Sequence, residues 1–335
     1  MQIATLEPAA LDAPVADDLA ALCNRANAVD APHLPEETGQ IMWLRYVHGW
    51  DGEGTDRLLV AHDDTGGGTG RVLGYAEVEL PRQENLNVVW FTVVVDPGHR
   101  RRGVGSALLA AVTDVAREVG RGLLMSGAWH GTAGAPFLKQ HEFAQASIGA
   151  QRRLYPQQLP REGDAELLAQ AREASAGYEL SRVLGPLPEE MLGAMLSTVQ
   201  AINDAPLDDL ELEDDNITVD RLRRYDAAQQ AQDQRLYRIV ARSHDGSPAG
   251  HSVVAVDGRR PHRAEQHDTT VRQEHRGHRL GLRLKLEMLE WLREAEPQLE
   301  QVDTWNQESN THMIAVNDAI GCTVVGRQLY FQRHL

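Results

Sequence analysis

The residues best suited to chemistry lie together in the first half of the chain, Asp96-Pro97-Gly98-His99-Arg100-Arg101-Arg102-Gly103-Val104-Gly105-Ser106-Ala107-Leu108. An apolar run ending at Val95 leads into them and a helical pattern follows. Pro97 has no N–H for a ladder and ends the strand. Gly103 and Gly105 remove side chains where the backbone must turn and approach a ligand, and the helix starting there points free N–H groups and its positive dipole end at the same spot. Such a loop binds phosphate oxygens, with Arg100, Arg101 and Arg102 adding charge-assisted donors. It is neither GxxxxGK[ST] nor GxGxxG, so the two commonest nucleotide loops are excluded.

The elements that must position this loop alternate along the chain. Helical spacing marks Val15–Asp30 and Ile41–His48; strand-like runs follow at Arg57–His62, Val72–Leu80 and Asn87–Val95, with Gly66-Gly67-Gly68 as a turn signal. A helix over Gly103–Val119 and a short strand at Leu123–Met125 complete the set. After a break at Tyr155–Gly163 the succession restarts: helices at Glu189–Asn203 and Val219–Gln232, strands at Leu236–Ala241, His251–Val256 and His267–Val271, and a helix near Leu280–Glu296. Gly74 and Gly250, Val95 and Val271, Arg100 and Arg276, Gly105 and Gly281, and Leu108 and Leu284 all share one offset of 176 residues. A gap-free match through strand, turn and helix start predicts one supersecondary unit written twice, with domains 1–156 and 157–335.

Composition bounds the partners. The chain has 335 residues, 42% apolar and 24% charged, and 49 Asp+Glu against 33 Lys+Arg give a net charge of -16. That field disfavours nucleic acid and anionic membrane surfaces, which are bound by neutralising phosphates, and suits a cationic ligand. Cys23 and Cys322 stand far apart without metal-ligand spacing, so no disulfide framework and no metal are expected. No leader-like N-terminus and no run approaching the ~20 apolar residues of a membrane span is present, which reads as a cytoplasmic protein. Nothing in the sequence indicates an oligomer.

VDPGHRRRGVGSALL resembles the V-x-P-x-x-[RQ]-x-x-G-x-[GA] loop of the GNAT acyltransferase superfamily, and the element order agrees with that family. The arrangement of both copies resembles tandem GNAT proteins of the mycothiol-synthase type. The resemblance implies an α+β or α/β fold of two GNAT-type domains, each a mixed, mostly antiparallel central sheet flanked by helices. It also implies acetyl-CoA or another acyl-CoA as co-substrate and a small-molecule amine as acceptor. Val95, Arg100 to Arg102, Gly103, Val104, Gly105 and Ser106 would hold the pyrophosphate in the first copy. In the second, VRQEHRGHRLGLRLKLEML keeps Arg276 and Gly281 but has Gln273 for the proline and Arg279 for the first motif glycine. Val271, Arg276, Gly277, His278, Arg279, Leu280 and Gly281 would form that loop.

Acyl transfer needs a base for the attacking amine and an acid for the departing thiolate. Family members commonly carry a carboxylate three residues before the loop valine: Asp268 in the second copy, Thr92 in the first. A carboxylate inside an apolar strand is costly unless bonded or functional. In the family's N-x-x-A-x-x-x-Y-x-x-x-G-F the Asn lies near the pantetheine arm and the Tyr near the thiol as acid; Asn310 and Gly321 match, with Asn317 at the tyrosine position and Cys322 at the final aromatic. Asn317 is no proton donor of suitable pKa, which leaves Tyr330, another residue or water as the acid. The expectation is a catalytic second domain and a CoA-binding, non-catalytic first domain; the competing expectation is a CoA-binding regulatory or scaffolding module. The acidic run Leu207–Asn216 reads as a solvated loop, which the resemblance places beside the second acceptor site; Trp43, Tyr46, His48 and Trp50 are expected in core or interdomain packing, His275 to donate to phosphate, and Lys285 to be a solvated helical lysine.

Overall fold

The computed structural model describes residues 1–63, 70–159 and 161–335; the turn signal at Gly66-Gly67-Gly68 lies outside them. Two compact units emerge, one of residues 1–148, 208–213 and 326–335, the other of 149–207 and 214–325. Each repeats one succession, which yields two GNAT-type, α+β units of mixed, mostly antiparallel sheet.

The first unit contains β1 (Gln2–Leu6), α1 (Ala13–Asp30), α2 (Gly39–His48), β2 (Arg57–His62), β3 (Val72–Glu79), β4 (Val88–Val95), α3 (Val104–Glu118), β5 (Leu123–Trp129) and α4 (Gly134–Gln140). Next comes β6 (Ala144–Leu154), whose residues 149–154 belong to the second unit. The second unit continues with α5 (Asp164–Ala174), β7 (Glu179–Leu184), α6 (Glu189–Gln200), α7 (Val219–Ala231), β8 (Gln234–Arg242), β9 (Pro248–Asp257), β10 (Arg263–Val271), α8 (Leu280–Ala295), β11 (Gln301–Gln307) and α9 (Thr311–Ala319). The final strand, β12 (Thr323–His334), has residues 326–334 in the first unit. Strand order is β1-β2-β3-β4-β5-β12 through the first unit and β6-β11-β10-β9-β8-β7 through the second. β4 with β5 and β10 with β11 are parallel, as a helical crossover requires.

Caps set several helix starts. Asp12, Thr38, Thr218 and Asn310 each accept the backbone N–H three residues on, opening α1, α2, α7 and α9. The apolar stripe of α3 buries Leu108, Leu109 and Val112 with Leu59, Phe91, Leu124, Leu329 and Phe331; that of α8 buries Leu284, Met288 and Leu292 with Ile239, Val254 and Val302.

The 176-residue repeat is mechanical. Gly74 stands opposite Val95 on β3 and β4, and Gly250 opposite Val271 on β9 and β10. A Cβ on Gly74 would lie 2.7 Å from the Val94 carbonyl and 3.3 Å from Leu108; one on Gly250 would lie 2.7 Å from the Thr270 carbonyl and 3.4 Å from Leu284. Both glycines let the following helix press against the sheet where the loop begins. Among the described residues, no helix is long and apolar enough to cross a membrane.

Candidate active site

In the first unit the loop is pinned at its base. Asp96 is 3% exposed; it accepts the Gly98 N–H at 2.9 Å and Arg25 Nε at 2.9 Å. Burial raises its carboxyl pKa, but the bonds from Arg25, His99 and Gly98 outweigh it and hold the group below the usual range. Arg100 is also part of the frame. Its Nε donates to the Val95 carbonyl at 3.3 Å and its guanidinium forms a fork on Asp30 at 2.9 and 2.5 Å. The expectation that Arg100 is free to meet phosphate is thereby corrected, because its fork is already filled. Arg101 and Arg102 are exposed and carry no ion pair among the described residues. Gly103 caps α3 at φ 84°, left-handed backbone that glycine adopts without strain. The first α3 turn, Val104, Gly105 and Ser106, then presents N–H groups without helical acceptors. A Cβ on Gly105 would come within 3.3 Å of Phe137, and Ser106 Oγ lies 3.1 Å from His141 Nε2.

The second loop is built alike. Arg276 Nε donates to the Val271 carbonyl at 3.0 Å and its guanidinium pairs with Asp204, so this arginine too is a brace. Gly277 takes φ 85°, and Arg279 takes the helix-capping place at φ 51°, a conformation a side chain resists. Arg279 Nη1 donates to Gln170 Oε1 at 3.0 Å, tying the cap to α5. His275 Nδ1 is 3.2 Å from the Tyr178 hydroxyl, and the His278 ring lies against Tyr178, centroids 5.8 Å apart. Leu280, Gly281 and Leu282 expose the first-turn N–H groups of α8. Both loops thus end in first-turn N–H groups, but only the first has glycine at the left-handed cap.

Beyond each loop the parallel strands part. In the second unit the pairing of β10 with β11 runs from Arg263 to Gln266 against Gln301 to Thr304 and stops there. A register shift between Gln266 and Thr269 breaks the β9 ladder at the same place. Gln266 holds this bulge: its Nε2 donates to the carbonyls of Val253 at 2.6 Å and Asp268 at 2.9 Å. Asp268 is lifted out of the ladder, half-buried, and its carboxylate has no hydrogen bond among the described residues. Burial, reinforced by Asp215 and opposed by Arg238, pushes its pKa up to about 6. Its neighbour His267 bonds Tyr225 at 2.5 Å, and burial with Arg238 nearby lowers its pKa to about 3, so it is neutral.

Asn310 caps α9, with Oδ1 accepting the Met313 N–H at 3.1 Å, which occupies the side chain assigned to the pantetheine arm. Asn317 is fully buried; Oδ1 accepts from Lys285 Nζ at 2.8 Å and Nδ2 donates to Asn306 Oδ1 at 3.3 Å. Lys285 is 3% exposed, which overturns its reading as a solvated helical lysine. Its spacing from Leu282 and Leu289 already placed it on the inner stripe of α8.

Tyr330 needs a larger correction, since β12 pairs with β5 and carries the phenol into the first unit, opposite Gly127. In that unit β4 and β5 part after Phe91 and Ser126, and a cavity of about 190 Å³ opens there, lined by Glu77, Glu79, Trp90, Thr92 and Tyr330 among others. Glu77 faces Thr92 and Glu79 faces Trp90 across the ladder. Desolvation by the surrounding protein, then the charge of Glu77, pushes Glu79 up to about 7, although the side chain keeps solvent access. The i, i+2 spacing of the two glutamates was the signal that could have located this wall. The acidic run is likewise divided: residues 208–213 belong to the first unit, where Leu210 and Leu212 pack with Trp90 and Tyr330, and Glu213 and Asn85 exchange backbone-to-side-chain bonds at 2.7 Å. Asp214 and Asp215 remain in the second. Tyr46 is a core residue whose hydroxyl donates to Glu77 at 2.7 Å, whereas Trp50 is exposed. Among the described residues no group of three or more His, Cys, Asp or Glu is arranged to hold a metal ion.

The fold is shared with a tandem GNAT protein from the clavulanic acid biosynthesis pathway: TM-score 0.78, 24% identity, 99% of this chain and 98% of that one covered. It is also shared with a GCN5-related N-acetyltransferase from Sphaerobacter thermophilus, at TM-score 0.71, 16% identity and coverage of 99% and 95%. A GCN5-related glucosamine N-acetyltransferase region of a fungal multi-domain β-N-acetylglucosaminidase aligns at TM-score 0.65 and 13% identity, covering 98% of this chain and 38% of that one. No curated protein matches the sequence. The model of the Acetyltransferase (GNAT) family matches twice, over residues 24–130 and 202–319. With one match in each half and the motif loop at the head of α3 and α8, the chain belongs to the GNAT acetyltransferase family as a tandem-domain member.

Proposed function

We propose that the protein transfers an acyl group, most simply acetyl, from acyl-CoA to the primary amine of a small cationic molecule such as an amino sugar, with the reaction in the C-terminal half (157–335). The observation that carries this is Asp268, a bulged, half-buried carboxylate without a hydrogen-bond partner among the described residues, three residues before the loop valine. A base of pKa about 6 is matched to removing an amine proton near neutrality. The amine nitrogen attacks the thioester carbonyl; Asp268 takes one proton from nitrogen, directly or through water, and the C–S bond breaks with its electron pair on sulfur. Asp214 and Asp215 supply the local negative field that favours a cationic acceptor. The amino-sugar class is supported by the glucosamine N-acetyltransferase region named above and by that field.

The N-terminal half (1–156) is proposed to bind CoA through Arg101, Arg102 and the first turn of α3, and the whole protein to work in the cytoplasm, where acyl-CoA is at hand. Incubation with acetyl-CoA and an amine panel, followed by free-thiol release, tests the reading. Turnover with an amino sugar or other cationic amine is expected. CoA binding with no turnover on any amine would leave the binding-module reading instead.

A further inference from the structure

Lys285 is a cation where none is needed for packing. It sits in the apolar stripe of α8 between Leu284 and Leu286, 3% exposed. An ammonium has three N–H donors, and among the described residues Lys285 makes one hydrogen bond, to Asn317 Oδ1 at 2.8 Å. Among the described residues no carboxylate pairs with it. The groups around it from β6, β9, β10 and β11 are Leu154, Val254, Gln266, Val302 and Thr304, all uncharged, and among the described residues Cys322 before β12 is the titratable group that acts on it. Arg152, Asp318 and Arg161 also act on Cys322. Burying an unpaired charge is expensive, and such a charge persists where an anion or a proton transfer uses it.

Its location says which. Lys285, Gln266, Thr304 and Cys322 line a small cavity of about 20 Å³, room for one water. Gln266 and Thr304 are the last paired residues of β10 and β11, so this cavity lies at the root of the strand divergence. Asn317, which orients the ammonium, holds the position where the family motif has its tyrosine. Asn306 fixes the Asn317 amide in turn.

We propose that Lys285, oriented by Asn317, is the group that receives the thiolate of CoA and protonates it. This rests on the second unit being the reacting one. As the C–S bond breaks, its electron pair stays on sulfur and a proton moves from Lys285 Nζ to that sulfur, giving CoA thiol and a neutral amine; solvent restores the proton to Nζ and removes the one held by Asp268. The burial that lowers Lys285 to about 8 brings the ammonium into the range of a thiol's ~8.5, so it can both favour the thiolate and give it a proton.

The test uses the full chain with two variants, Lys285→Gln, which retains a donor to Asn317, and Lys285→Met. Thiolate absorbance is followed against pH during titration with CoA, with desulfo-CoA as the blank. In the wild type, bound CoA ionises below its free value; in both variants that lowering is lost while CoA affinity is kept. With an accepted amine, kcat in the variants falls about a hundredfold or more, and the alkaline limb of its pH profile disappears. A thiolate signal identical in wild type and Lys285→Gln, or an unchanged kcat, overturns the assignment alone. Failure of the wild type to bind CoA overturns the transferase reading and this assignment together.

Discussion

Asp268 carries the chemical argument and also a stability cost. Its carboxyl ionises at 3.8 in an unperturbed chain but only at about 6 in the fold, so the folded state holds the proton more tightly. The stability it contributes is complete below about pH 4 and is lost as pH rises through about 6. Asp268→Asn is therefore expected to stabilise the protein by about 1 kcal/mol above that range, reduced from the ~1.4 kcal/mol per pKa unit because the group is half-buried, and to change little at pH 4. Chemical denaturation at both pH values checks this; an equal effect at the two contradicts it. Asp268 was legible because a carboxylate inside an apolar strand is conspicuous in one dimension. Lys285 was misread because a lysine is usually solvated, and the helical period that puts it inward was outweighed by that habit. Tyr330 was misplaced for a different reason: its surroundings depend on a pairing between β5 and β12, which no local pattern reports.

At the scale of elements, what repeats is the hinge of strand, loop and helix. Gly74 and Gly250 each face a carbonyl 2.7 Å from where a Cβ would go, and in both units the motif arginine braces its loop to the preceding valine and to an aspartate, Asp30 or Asp204. Gly74→Ala and Gly250→Ala are each expected to destabilise by about 1–3 kcal/mol, as overpacking against backbone does; a melting temperature equal to wild type would refute the equivalence. Gly103→Val should impair CoA binding in the first unit, since φ 84° strains a branched residue. Calorimetry should then show one CoA site fewer than wild type, and an unchanged stoichiometry would mean this loop is unused. These hinges were readable because glycine, proline and arginine have fixed mechanical roles at fixed spacing. The helices α4, α5 and α9 and the strands β1, β6, β7, β11 and β12 were not read: most are short or weakly periodic, β6 and β12 are long but mix polar and apolar residues, and α5 emerges from the stretch just after a presumed linker. Its Arg172, paired with Glu287 at 2.8 Å and Glu290 at 2.9 Å, holds it to α8 by contacts that only the fold creates.

For the whole molecule, two domains follow from length and from the repeat, but chain order does not map onto them simply. Residues 326–335 complete the first unit, and Leu329 and Phe331 lie in its core with Leu59, Phe91 and Leu124. Losing both side chains costs roughly 5 kcal/mol or more, comparable with a domain's total stability of about 5–15 kcal/mol. A fragment of residues 1–156 is thus expected not to fold cooperatively, and removal of 326–335 from the full chain should unfold the first unit; a sharp melting transition in the isolated fragment would contradict this. The net charge of -16 is likewise distributed by the fold, with residues 208–213 in the first unit, and Asp214 and Asp215 in the second, where Asp215 acts on the proposed base. The central claim is that acyl transfer takes place in the second unit with Asp268 as base, and it is tested most directly by steady-state turnover and CoA affinity of Asp268→Asn. The account predicts turnover reduced at least a hundredfold with CoA affinity nearly unchanged; turnover at the wild-type rate would contradict it.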